Sequence, residues 1–251
     1  MRLALWTAPV TLALLAVALL WPRPAAGGHC EQRRFEGSAF IACRYDARVH
    51  RFELVLDQAG SPLRGFTKLE AALGPRAQGL LFAMNAGMYD NKGLPVGLYV
   101  ENGKQRHPIN LRDGPGNFHM KPNGVLAVDA EGRIAIVPSE KWEKPARQAQ
   151  WATQSGPMLL IDGTLHPLIQ PNGTSLNVRN GAGTADGQTA WFVISEEPVS
   201  FGRFARFFRD GLGCRDALYL DGAVSSLWDP GAGRRDTAYA LGPMLTVFRR
   251  P

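Results

Sequence analysis

The sequence lacks a phosphate loop ending in Gly-Lys-Ser/Thr and a correctly spaced dinucleotide fingerprint, so no nucleotide signature is present. It also lacks a His-Glu-x-x-His pair: its five histidines are dispersed, and nothing in their spacing supports a zinc site. Ser155 stands in Thr153-Gln154-Ser155-Gly156-Pro157, without the outer glycines of a nucleophile elbow, which argues against a serine hydrolase. There is no internal repeat, low-complexity linker or charge run. The formal charge of +6 is scattered rather than interleaved with aromatics, which speaks against a nucleic-acid partner. No apolar run is comfortably long enough for a membrane span, because Leu12 to Leu20 is short of the roughly 20 residues required.

That short run does have another reading. Arg2 precedes it, Pro22 and Pro24 follow it, and small residues occupy Ala25 to Gly28, which is the layout of a secretory signal peptide over residues 1–28. The expected location is therefore periplasmic or secreted, with membrane contact only through the leader if it stays uncleaved as an anchor starting at Leu3. Residues 29–251 are then within the range of one domain with one core. The 28 glycines and 18 prolines, spread throughout, imply many turns between short elements and a sheet-rich fold.

The three cysteines of an exported chain allow one disulfide and one leftover thiol. Cys30 and Cys43 flank Glu36-Gly37 symmetrically, so a two-residue hairpin turn there sets them opposite each other, as bridging requires. Cys214, in the apolar Leu212-Gly213-Cys214 connection with no adjacent histidine, reads as a packing residue.

Strands are expected over Arg51 to Leu56, Gly79 to Met84, Val96 to Val100, Val125 to Val128, Arg133 to Val137, Met158 to Ile161 and Thr189 to Ser195. Asp162-Gly163 is a hairpin turn dipeptide. Leu69 to Leu73 reads as a short helix stopped by Gly74 and Pro75. The strongest helix runs from about Ser200 to Asp210, where Phe201, Phe204, Phe207 and Phe208 recur at helical spacing as core residues. Asn177 to Gly181 reads as a loop. Ala217 to Leu220 is an apolar strand that delivers Asp221 to a glycine turn, Gly222, followed by the hydroxyls of Ser225 and Ser226. Several strands thus end in polar clusters at Asn85 and Asp90, Ser155, Glu196 and Asp221, groups that a fold could gather on one side.

In order along the chain, Asn85-Ala86-Gly87-Met88-Tyr89, Gly116-Asn117-Phe118, Lys121-Pro122-Asn123-Gly124, Gln154-Ser155-Gly156-Pro157-Met158, Val178-Arg179-Asn180-Gly181 and Leu220-Asp221-Gly222 resemble the successive motifs of the bacterial phosphodiester glycosidase domain family. That family is similar, more distantly, to the catalytic domain of the mammalian lysosomal uncovering enzyme. The resemblance covers roughly Phe52 to Val247. It implies an α+β, sheet-rich single domain with mixed or antiparallel strands and few helices, and a hydrolase that cuts a sugar from a sugar-1-phosphodiester. Where the uncovering enzyme has a glycine run after its aspartate, this chain has Ala223-Val224 before Ser225, which alters the space beside Asp221.

Such a reaction develops oxocarbenium character on the sugar and charge on the leaving phosphate, so it needs a carboxylate near one and cationic or amide donors near the other. Asp221 is the first choice for the carboxylate, as nucleophile, base or electrostatic stabiliser, and Glu196 is the candidate partner. Arg179 suits the phosphate because a guanidinium makes two parallel hydrogen bonds to its oxygens; Lys121 adds a point charge. Asn85, Asn123 and Ser155 are expected to hydrogen-bond sugar hydroxyls or phosphate oxygens, with Gly222 and Ser225 lining the substrate. No cofactor is required. Two other readings stand beside this one: a noncatalytic protein binding an envelope glycan, and a phosphoesterase in which Asp221, Glu196 and Asp90 hold a divalent cation.

Overall fold

A computed structural model describes residues 30–142 and 149–250. The leader expected over residues 1–28 lies outside the described residues.

The chain opens with the hairpin β1 (Cys30–Phe35) and β2 (Ser38–Asp46), continues through β3 (His50–Val55) and the small pair β4 (Asp57–Gln58) and β5 (Ser61–Pro62), and enters helix α1 (Phe66–Leu73). Next come β6 (Leu80–Asn85), β7 (Tyr99–Glu101), β8 (Lys104–His107), β9 (Gly124–Asp129), β10 (Ile134–Pro138) and β11 (Ala149–Ser155). The second half holds β12 (Met158–Ile161), β13 (Thr164–Leu165), β14 (Asn180–Thr184), β15 (Thr189–Ser195), helix α2 (Phe201–Arg206), β16 (Asp216–Tyr219), β17 (Leu227–Asp229), β18 (Arg234–Arg235) and β19 (Met244–Arg249). They build a seven-stranded sheet, β1-β2-β15-β14-β16-β12-β13, and two five-stranded sheets, β10-β9-β11-β7-β8 and β18-β17-β6-β19-β3. The fold is sheet-rich α+β with few helices, and of the mixed or antiparallel strands expected, the pairings in these sheets are antiparallel.

The opening hairpin forms as its spacing predicts. Glu36 and Gly37 both take positive φ, 46° and 82°, which matches the right-handed twist of the flanking strands. The register pairs Cys30 with Cys43, and the two are disulfide-bonded. Cys214 is free and buried, and burial pushes its thiol up to about 12, the state of a packing residue rather than a nucleophile.

Three sheets share a central core in which Tyr45, Phe52, Phe82, Phe192, Leu126 and Leu218 meet. The seven-stranded sheet is buried on its other face as well, where Phe40, Val193 and Ala217 pack on Phe204, Phe207 and Phe208 of the α2 region. Burial on both faces makes β15 a continuous apolar run rather than an alternating one. Ser200 caps α2 by accepting from the Arg203 amide, and the helix continues through a wider π turn, Phe207–Gly211, so the expected span is found nearly whole.

β14 overturns an expectation. Its sequence, Asn-Gly-Ala-Gly-Thr, has the composition of a loop, yet it lies in the middle of the large sheet between β15 and β16. The aromatic face of α2 explains this: a Cβ on Gly183 would stand 2.5 Å from Phe208 Cδ1 and 2.8 Å from Cys214 Sγ. Large rings on one layer demand glycine on the other, and that requirement outweighs local propensity. β17 and β19, with no strand expected above, complete their sheets through pairing with distant partners.

Candidate active site

Antiparallel pairing sets the ends of β6, β15 and β16 and the starts of β14 and β17 at one rim, since Gly181 pairs with Tyr219, Asn180 with Ile194, and Leu227 with Met84. Polar groups left at these ends then bond to one another across two sheets. Asn85, buried at the end of β6, donates from Nδ2 to the Asp221 carbonyl at 2.7 Å. Its Oδ1 accepts from the Ser226 amide at 2.8 Å and from Asn180 Nδ2 at 3.0 Å. The Asp221 amide donates to the Ala86 carbonyl at 3.1 Å, and Ser225 Oγ donates to Asn180 Oδ1 at 3.1 Å. Asn85 therefore clasps the backbone of Asp221 and spends its amide inside the protein.

The Asp221 carboxylate accepts from the Ala223 amide at 3.3 Å. Burial pushes its pKa up from 3.8 to about 6, and the Ala223 bond only partly opposes this. Tyr89 and Tyr219 lie close enough that the Asp221 charge adds to the rise that burial imposes on both phenols. Gly222 has a specific reason to be glycine: a Cβ there would sit 1.9 Å from the Tyr219 hydroxyl oxygen. The turn after Asp221 is thus shaped by a phenol below it.

Arg179 is placed otherwise than the sequence suggests. It is only 1% exposed, with Nε donating to the Val199 carbonyl at 2.8 Å and Nη2 to the Ser175 carbonyl at 2.9 Å. Its guanidinium carbon is 3.5 Å from the centre of the Phe201 ring and 5.4 Å from that of Tyr219. Burial pulls its pKa below the ordinary guanidinium value, with Tyr219 opposing the shift. Two backbone carbonyls thus engage Nε and Nη2, an aromatic ring covers the guanidinium face, and the cation lies behind Tyr219.

Glu196 is engaged by an arginine. It accepts from Arg234 Nη1 at 2.6 Å, and the same guanidinium reaches Asp236 through Nη2 at 3.1 Å and Nε at 3.2 Å. This ion trio forms one wall of a cleft of about 470 Å³ whose other lining includes Gly222, Ala223, Ser225 and Tyr239. Lys121 Nζ donates to the Leu111 carbonyl at 2.6 Å and pairs with Asp113 at 2.7 Å. Asn123 is fully buried and donates to the Phe118 carbonyl at 2.8 Å; its Oδ1 and the Ser155 hydroxyl are buried without a hydrogen-bond partner. Their turn meets the rim through backbone, where the Tyr219 amide donates to the Pro157 carbonyl at 3.1 Å.

Asp90 Oδ1 accepts from the amides of Lys92 and Leu94, both at 2.9 Å, and so closes its own turn. Among the described residues no group of three or more His, Cys, Asp or Glu side chains gathers as a metal cluster, so Asp221, Glu196 and Asp90 are not brought together. Sequence reading missed Asn180, Tyr219, Arg234 and Asp236. Tyr219 carried one signal, a phenol in an otherwise aliphatic run shortly before the aspartate; Asn180 and Arg234 depend on Asn85 and Glu196, far along the chain, while Asp236 takes its place through Arg234 and Leu227 nearby.

Residues 78–241 match the family model described as phosphodiester glycosidase. Over 168 residues the chain is 38% identical to the uncharacterized protein YigE of Escherichia coli (strain K12), covering 67% of this chain and 65% of that protein, slightly under two thirds of its length. The fold is similar to the catalytic domain of zebrafish N-acetylglucosamine-1-phosphodiester alpha-N-acetylglucosaminidase, solved auto-inhibited by its pro-peptide, with TM-score 0.63 and 12% identity over 88% of this chain and 82% of that one. It is also similar to a putative exported protein from Burkholderia pseudomallei, with TM-score 0.53 and 14% identity over 84% and 74% of the two chains. At these identities the likeness is one of fold.

Proposed function

Since the chain belongs to the phosphodiester glycosidase family, we propose that it is a hydrolase that cleaves the glycosyl bond of a sugar-1-phosphodiester, with Asp221 as its working carboxylate. The observation that carries this reading is a carboxylate whose backbone is clasped by Asn85 and Ala86 at the end of β6, in the neighbouring sheet, while burial raises its pKa to about 6. A carboxyl group that titrates at about 6 can take or carry a proton at neutral pH, as acid–base chemistry requires.

Cleavage of the anomeric C–O bond places positive character on the ring and negative charge on the departing phosphate. Ionised Asp221 stabilises the first, as nucleophile or as the base that activates water. A phosphate leaves readily once its charge is balanced, so a second carboxyl in the role of strong acid is dispensable. The buried Arg179 cation behind Tyr219 supports that balance through its field and through the phenol, not by contact. The disulfide and the expected leader support action outside the cytoplasm, on a sugar phosphodiester or envelope glycan.

A panel of synthetic glycosyl phosphodiesters in ¹⁸O-labelled water tests the proposal. Label in the released sugar and loss of turnover in Asp221→Asn are expected; label in phosphate, or saturable binding without product, replaces the hydrolase reading by a phosphoesterase or a glycan binder. The anomeric configuration of the first-formed sugar separates nucleophile from base.

A further inference from the structure

We propose that the cleft beside Gly222 and Ala223 is a subsite for an uncharged or cationic hydroxylated sugar ring and that it rejects phosphate, an assignment that rests on the hydrolase reading only for the order of the substrate's two halves. Its polar wall carries two carboxylates, Glu196 and Asp236, against one guanidinium, Arg234, so its formal balance is negative. That guanidinium is already engaged: three of its N–H directions go to the two acids, Nη1 to Glu196 and Nη2 with Nε to Asp236. Asp236 is engaged too, accepting from the Leu227 amide at 2.9 Å. A phosphate entering here meets two carboxylates that together outweigh the charge of the one cation.

Hydroxyl groups face the opposite situation. Each both donates and accepts, so it can use the spare lone pairs of the acids and the remaining N–H groups of Arg234 together. The trio is preorganised for this, because its members hold one another in place before any ligand arrives. Tyr239 lies at the rim and is 52% exposed, an unusual state for a large aromatic. With Val178 and Ala223 it gives the cleft an apolar surface for the C–H face of a ring. The volume of about 470 Å³ falls within the range of small-ligand sites. The phosphodiester accordingly projects away from this wall, and Glu196 serves ring recognition rather than proton transfer.

Titration of the whole protein with methyl α-D-glucopyranoside, its 2-amino and 2-acetamido derivatives, and inorganic phosphate, followed by protein NMR shifts and competition, tests the assignment. Saturable glycoside binding that phosphate does not displace is expected. Tyr239→Ala should weaken the rings about threefold to tenfold, the scale of one lost aromatic contact. Glu196→Gln, which keeps an oxygen for Arg234, should reduce the preference for the protonated 2-amino ring over the 2-acetamido ring. Phosphate competing with the glycosides, no glycoside binding to the wild type, or affinities unmoved by both substitutions overturns the subsite. The two readings fail separately: a protein that binds rings here but leaves every phosphodiester intact loses the hydrolase proposal and keeps the cleft. One that hydrolyses them with an unaltered sugar ranking in both variants keeps the former and loses the latter.

Discussion

Replacing Asp221 by asparagine should make the protein more stable at neutral pH while removing turnover. The side chain's pKa rises from 3.8 to about 6 on folding because burial disfavours its charge. Below the unfolded value both states are protonated and the folded chain pays nothing. Between the two values the unfolded chain ionises first, so stability falls as pH rises; above the folded value the loss is complete. At about 1.4 kcal/mol per pH unit, the loss approaches about 3 kcal/mol, and about half that after allowing for the water that reaches a half-buried residue. Asparagine keeps an oxygen for the Ala223 amide and removes the charge. Urea denaturation of both proteins from pH 3 to 8 at constant ionic strength measures the difference, and other titrating groups, such as Asp46 with its pKa held down to about 2 by Arg48, cancel in the subtraction. The variant should gain about 1.5–3 kcal/mol over wild type at pH 8 and nothing near pH 3. A pH-independent difference, or a less stable variant at pH 8, would refute the argument that Asp221 is a half-buried acid whose charge the fold disfavours. The acidic limb of wild-type kcat/KM should fall near pH 6 for the same reason.

Other consequences follow from the same contacts. Asn85→Ala removes three hydrogen bonds at the junction of two sheets and should cost about 2–4 kcal/mol in chemical denaturation together with most of the activity. Gly222→Ala meets the Tyr219 hydroxyl and should lose turnover with about 1–3 kcal/mol of stability; a variant indistinguishable from wild type contradicts the close approach. Ser155→Ala deletes a buried hydroxyl without a hydrogen-bond partner, so denaturation should show no loss beyond about 0.5 kcal/mol. Reduction of Cys30–Cys43 should lower stability by about 3 kcal/mol, the loop-entropy scale for this sequence separation, read as a midpoint shift with reductant.

Much of this protein was legible along the chain because the signals are local. Two positive-φ turn positions between equidistant cysteines specify a hairpin and its disulfide. Four phenylalanines at helical spacing specify a buried helix face, and an apolar run ending in Asp221-Gly222 specifies a strand that presents a carboxylate at its tip. β14 was not legible, since its glycines answer to rings of α2 that lie 20 or more residues away in sequence. Nor were the surroundings of Arg179 and Glu196: their residue types suit phosphate and proton transfer, but type carries no information about which neighbours will engage the groups.

Turn signals, periodicity and motif order along the chain already carry the kind of fold, the family and the position of Asp221, the carboxylate proposed for the chemistry, because they are properties of neighbouring residues. What surrounds that carboxylate is set by contacts between residues far apart in the chain. Antiparallel pairing across two sheets converts Asn85 from an expected ligand contact into the clasp on Asp221, buries Arg179 against Phe201, and commits Glu196 to Arg234. Burial, which exists only once the sheets close, is also what moves the pKa of Asp221 to about 6.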